Sequence, residues 1–211
     1  CRASSPDSLP SASVIVYSHN DSDNLAHILT DILNQSYPSP FEVIVLNDGS
    51  SEATKDIVTE LSQTHKNLYI TYTPEEARYL SRKKLSLTIG IKAAKHDYVV
   101  ITNSSCRIKS KEWLASIAQH FAKGKEIVIG YAYYPVSADK KLGARSRAFN
   151  TVIDATKYLS SAIKNKPYRG IDANIAYSRD LFFKNKGFSR SLNLHHGDDD
   201  IFISEIATSN N

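Results

Sequence analysis

Short runs of apolar and β-branched residues at 13–17, 41–46, 67–71 and 98–102 recur along the first half of the chain, with a helix-period segment between each pair. Continuous apolar runs of this length, bounded by polar turns, suit strands that are covered on both faces. Between the first two, Leu25, Ile28, Leu29, Ile32 and Leu33 fall at three- and four-residue spacing, and Tyr37, Pro38 and Pro40 stop the helix they predict. Ile57, Val58 and Leu61 line a second helix, with Ser51 placed to cap it. A third, basic helix spans 81–95 with Leu85, Ile89 and Ala93 as its apolar side. This alternation leaves little choice of fold: an α/β domain with a mostly parallel central sheet, helices on both faces and right-handed crossovers.

In such sheets ligands bind beyond the carboxyl ends of the strands. The polar turns at 18–23, 47–51 and 103–107 are therefore the first places to look for chemistry. After Ser110 a helix through Trp113 to Phe121 is expected, then a strand at 127–130, a loop at 131–143, a helix at 148–163, a strand at 171–178 and a short helix from Asp180. Residues 1–12, rich in Ser and Pro, read as a flexible leader, and residues 13–211 as one domain.

The totals narrow the function classes. With 211 residues, 41% hydrophobic and 23% charged, the chain is an ordinary globular one. A net charge of +4 favours anionic ligands such as nucleotide phosphates, or an anionic membrane surface. No long Lys/Arg block or basic ribbon interleaved with aromatics argues for nucleic acid. No apolar stretch of about 18 residues is present. Cys1 and Cys106 make neither a disulfide framework nor a cysteine metal site, so a reducing, cytoplasmic setting is expected. A chain that starts at Cys1 and has no Met reads as a fragment or processed form, so a membrane anchor outside it would place it at the cytoplasmic face.

Candidate chemistry gathers at three places. Asn47, Asp48, Gly49 and Ser50, with Ser18, His19, Asn20 and Asp21, offer short polar groups to a base and ribose, or serve only as turns and helix caps. Arg82, Lys83 and Lys84 open a helix, where they meet a diphosphate or form a solvated face. Asp198, Asp199 and Asp200, flanked by His195, His196 and Gly197, repel one another, which raises at least one carboxyl pKa and suits a general base or a cation site. The same three acids also suit the start of a helix.

As an ordered set, these segments resemble the inverting family-two glycosyltransferases, which have the nucleotide-sugar-binding fold called GT-A. Residues 13–21 are similar to that family's opening strand and Pro-x-Tyr-Asn-Glu turn, and residues 41–51 to its second strand and Asp-Asp-Gly-Ser turn. Residues 83–95 resemble its Gly-Lys-x-x-Ala-Leu-Asn helix, 170–177 its acceptor-lining segment, and 197–202 its Glu-Asp motif. The likeness runs in family order from about residue 12 to 206. It implies a nucleotide-binding half at 13–107 and an acceptor-binding half at 108–211. Ser18, Asp21, Asp48, Lys83, Lys84, Asn103 and Ser104 would bind the nucleotide, and Gly170 and Asn174 would line the acceptor side. Asp199 would be the catalytic base, supported by Asp198. The partners implied are a nucleotide-sugar donor and a glycan or lipid-linked acceptor.

The departures from the pattern are as specific. The family's Asp-x-Asp metal site is replaced by Asn103 and Ser105, so Mg²⁺ or Mn²⁺ should bind weakly or not at all. Ser105 and His196 remain as ligand candidates, and Arg107 or Lys109 as charges in the metal's stead. Arg82 stands where a glycine is usual, Asn47 where an acid is usual, and the C-terminal Gln-x-x-Arg-Trp segment is missing, so C-terminal incompleteness is expected. Two readings follow: an inverting glycosyltransferase, or a degenerate relative that binds a nucleotide, glycan or protein partner without catalysis.

Overall fold

The computed structural model describes residues 9–49, 52–74, 80–133, 143–194, 197, 200–208 and 211. Strands β1 (Ala12–Ser18), β2 (Phe41–Asn47), β3 (Leu68–Tyr72) and β4 (Tyr98–Asn103) alternate with helices α1 (Ser22–Leu33), α2 (Glu52–Thr64) and α3 (Arg82–Ala93). There follow α4 (Trp113–Ala122), β5 (Ile127–Ile129), α5 (Ala144–Ile163), β6 (Ile175–Ser178), α6 (Arg179–Lys184) and α7 (Ile201–Ile206). The strands lie in the order β3-β2-β1-β4-β6-β5. β1 pairs in parallel with both β2 and β4, and β2 with β3, whereas β6 runs antiparallel to β4 and β5. The strand order reverses at β1, which makes the crevice beside its carboxyl end the favoured ligand position.

Strand alternation divides the core between the two faces of the sheet. Val14, Val16, Val43, Val45 and Val100 pack with Leu25, Ile28, Leu29 and Ile32 of α1, Val58 of α2 and Leu114, Ile117 and Phe121 of α4. Ile15, Ile44, Leu46, Val99 and Ile101 point the other way, to Leu87 and Ile91 of α3 and to Phe182, Phe202 and Ile203. Both faces being covered, the continuous apolar runs are accounted for, and the expected fold class holds.

The apolar side expected for α3 does not. Its buried positions are Lys84, Ser86, Leu87, Gly90 and Ile91, with Leu85 and Ile89 half-exposed. The helix is turned so that Gly90 meets the sheet; a Cβ there would lie 2.5 Å from Leu46 Cδ2 and 3.4 Å from Ile15 Cγ2. Close approach through a glycine, and a lysine satisfied by a carbonyl, are invisible to an apolar count. Gly90→Val is expected to cost about 1–3 kcal/mol by overpacking. Urea denaturation checks this, and an unchanged midpoint would mean that α3 stands off the sheet.

Other boundaries shift. The expected strand at 171–178 is pairing backbone only from Ile175, because 171–174 turns beneath the tip of β4. β1 begins at Ala12, and the carbonyls of Leu9 and Pro10 accept hydrogen bonds from Ser39 and Tyr37, so residues 9–12 are held rather than loose. The remainder of the expected leader, Ser51 as a cap and most of the 131–143 loop lie outside the described residues.

Candidate active site

Parallel register sets Ser18 beside Asn47 and Tyr17 beside Asn103, so the ends of β1, β2 and β4 form one edge. The backbone carries this alignment past the strands: Asp48 N–H donates to Ser18 O at 3.1 Å and Ser104 N–H to Tyr17 O at 2.9 Å. Gly49, at φ +69°, makes the turn that follows Asp48. Ser18, Asn47, Asp48 and Ser104 are all buried at this edge.

Asp48 is the hub. The Tyr17 hydroxyl donates to its Oδ2 at 2.7 Å. Arg82 donates to Oδ1 through Nε at 2.8 Å, with Nη2 at 2.7 Å from the same oxygen. His19 Nδ1 lies 2.6 Å from the Asp48 carbonyl, which makes Nδ1 the protonated ring nitrogen. Nearby, Asp21 accepts from Ser104 Oγ at 2.9 Å and from Asn24 at 2.7 Å, tying the β1 turn to the tip of β4. Ser18, Asp21, Asp48 and Ser104 thus converge as the sequence predicts.

The two lysines part company. Lys83 Nζ donates to Asp172 Oδ2 at 2.7 Å, both side chains remaining partly exposed, and sits 5.9 Å from the centroid of the Tyr17 ring. Lys84 is 0% exposed and its Nζ donates to Ser191 O at 2.8 Å. Sealed from solvent in this conformation, the Lys84 ammonium braces α3 against the 190s segment, whereas Lys83 keeps its side chain partly exposed.

At the tip of β4 the donor set does not fit a hard divalent cation. Asn103 and Ser105 are neutral, and Asn103 Oδ1 already accepts from Ser105 Oγ at 2.7 Å and Cys106 Sγ at 3.1 Å. Among the described residues no group of three His, Cys, Asp or Glu side chains could hold a metal ion. Arg107 does not stand in for one. It donates from Nε to Asp31 Oδ2 at 2.7 Å and from Nη2 to Oδ1 at 3.3 Å, turned towards α1. Burial alone would raise the Asp31 pKa, but the hydrogen bonds from Arg107 and the Ile108 N–H, with the Arg107 and Lys109 charges, hold it below the ordinary value. Burial, with a smaller contribution from the Asp172 charge, pushes the Cys106 thiol up against opposing hydrogen bonds at Thr102 and Asn103.

Of the two residues expected to line an acceptor, Gly170 lies against β6: a Cβ there would be 2.3 Å from Ile175 Cδ1. Asn174 accepts from Trp113 Nε1 at 3.1 Å and donates to Tyr131 O at 3.1 Å, so it joins α4 to the loop after β5. One donor and one acceptor position of its amide are used in this way. Asp198, Asp199, His195 and His196 lie outside the described residues. Their neighbours are placed: Gly197 adopts φ +90°, and a Cβ there would meet Ile201 Cδ1 at 2.4 Å, while Asp200 caps α7 through Ile201 N–H at 2.7 Å.

Sequence reasoning missed Tyr17, Asp172 and the Arg82–Asp48 pair. Asp172 had one available signal, being the acid within an otherwise neutral 170–177 segment.

The mixed, mostly parallel six-stranded sheet, with its switch point at β1 and helices on both faces, is that of a GT-A domain. The chain belongs to glycosyl transferase family 2, whose family model matches residues 13–190. Among curated relatives, a glycosyltransferase of Haemophilus influenzae is 25% identical over 145 residues, which is 69% of this chain and 43% of that protein. A mannosyltransferase of Pyrobaculum calidifontis, solved with GDP-Man and Mn²⁺, superposes with a TM-score of 0.66 at 21% identity, covering 92% of this chain and 51% of that one. The TarS 1–349 structure from S. aureus gives 0.64 at 20% identity, covering 93% and 55%. The chain therefore spans about half the length of these relatives. No helix among the described residues is long and apolar enough to cross a membrane.

Proposed function

We propose that the chain carries the donor site and catalytic base of an inverting glycosyltransferase that moves a sugar from a nucleotide-sugar donor to a hydroxyl of a glycan or lipid-linked acceptor. The observation that carries this reading is the convergence of Ser18, Asp21, Asp48 and Ser104 at the sheet edge, beside Lys83. Residues 13–107 would hold the nucleotide and 108–211 the acceptor. In the reaction, the Asp199 carboxylate takes the proton of the acceptor hydroxyl. The acceptor oxygen then attacks the anomeric carbon on the face opposite the diphosphate. The bond from that carbon to the diphosphate oxygen breaks, the nucleoside diphosphate leaves with the electron pair, and the configuration inverts. Asp198 would support the base. The Pyrobaculum relative was solved with Mn²⁺, but the neutral tip of β4 gives such an ion no suitable ligands here, and no step is assigned to one.

One observation favours the non-catalytic alternative: Arg82 and Tyr17 already occupy both oxygens of the Asp48 carboxylate, which would have to be shared with a base. Nucleoside diphosphate release from UDP- and GDP-linked sugars, with the anomeric configuration of the product read by NMR, separates the two readings. Release with inversion is expected. Tight binding of UDP or GDP with no release from any donor would favour the non-catalytic relative.

A further inference from the structure

The tip of β4, Asn103 to Ser105, carries no acid, but a charged pair stands next to it. The antiparallel register of β4 and β6 ends at Ile101 opposite Ile175. One step beyond, Thr102 Oγ1 donates to Ala173 O at 3.0 Å, which brings Asp172 alongside the Asn103–Ser104 tip. From the other side, the Lys83 ammonium reaches over the end of β1, 5.9 Å from the Tyr17 ring, and meets Asp172 at 2.7 Å. Tyr17 in turn holds Asp48. The lysine therefore stands between the Asp48 turn and the neutral Asn103–Ser105 turn, and its side chain is 25% exposed, within reach of a ligand.

We infer that Lys83, steered by Asp172, is the resident cation of the donor site and meets the diphosphate where relatives with acids at this tip use a divalent ion. This rests on the glycosyltransferase reading above. The neutral donors at the tip cannot concentrate a hard cation, whereas an ammonium on a flexible stem brings a unit positive charge that needs no ligands. Asp172 has two effects. It fixes Lys83 over the crevice while the site is empty, and as a like charge it opposes the arriving diphosphate, which must draw the lysine from it. Asp172 is thus a competing acid whose charge tunes the affinity.

The test is calorimetric titration of the 211-residue chain with UDP, UMP, GDP and GMP, in EDTA and again with Mn²⁺. Wild type is expected to bind a diphosphate equally well in both conditions. Lys83→Met is expected to weaken the diphosphate by about 10- to 100-fold, the size of a charge-assisted hydrogen bond, and the matching monophosphate far less. Asp172→Asn is expected to tighten the diphosphate by about 2- to 5-fold, as loss of a partly exposed pairing should. Thermal melts of both variants establish that they fold. Diphosphate binding that appears only with Mn²⁺ overturns the inference and leaves the glycosyltransferase reading standing. So does equal weakening of mono- and diphosphate by Lys83→Met, or weakening by Asp172→Asn to the level of Lys83→Met. No nucleotide binding by wild type in any condition overturns both.

Discussion

Asp199→Asn is expected to lower the sugar-transfer rate by about 10²- to 10⁴-fold, the usual contribution of a positioned general base, and to leave nucleotide affinity and thermal stability close to wild type. The amide has the shape of the carboxylate but cannot accept the acceptor's proton. Gly197 takes a left-handed conformation that a Cβ would also block against Ile201, and Asp200 caps the first turn of α7. Initial-rate assays with saturating donor check the effect. A rate within a few-fold of wild type would remove Asp199 from the role, and a large loss on Asp198→Asn instead would transfer the role to its neighbour.

Phe202→Ala is expected to destabilise the fold by about 3–5 kcal/mol, the range for emptying a buried aromatic site. Phe202 is 1% exposed, with its ring centroid 4.9 Å from Phe188 and 5.3 Å from both Tyr177 and Phe182. Tyr177 belongs to β6 and Phe182 to α6, so this cluster fastens α7 to the sheet. Edge-on and tilted ring contacts add to the area buried. Because α7 directly follows Asp198, Asp199 and Asp200 in the chain, transfer activity should fall before the global transition in a urea titration of the variant. A loss below about 1 kcal/mol would mean that the site collapses around the missing ring, as well-relaxing cavities do.

The strand-helix alternation, and with it the α/β class, was legible because continuous β-branched runs and three- and four-residue spacing each have a single structural solution when they recur in turn. The strand-end turns were legible for the same reason, since a parallel sheet brings its carboxyl ends to one edge. Ser18, Asp21, Asp48 and Ser104 therefore came together as their positions in the chain required. What periodicity could not set was the rotation of α3. Leu85 and Ile89 argued for one face, while Gly90, by letting the helix close on Leu46, and Lys84, by finding the Ser191 carbonyl, turned the other face inward. Nor could spacing pair groups that lie far apart in the chain. Arg107 looked like a spare charge at the tip of β4 until Asp31 of α1 claimed it, and Lys83 and Asp172 meet across 89 positions. Local patterns fix which elements form and which edge they share, because those follow from backbone geometry and burial within each segment. The partner of a long charged side chain depends on which distant acid or carbonyl the packed layers bring within about 3 Å, and only the tertiary structure decides that.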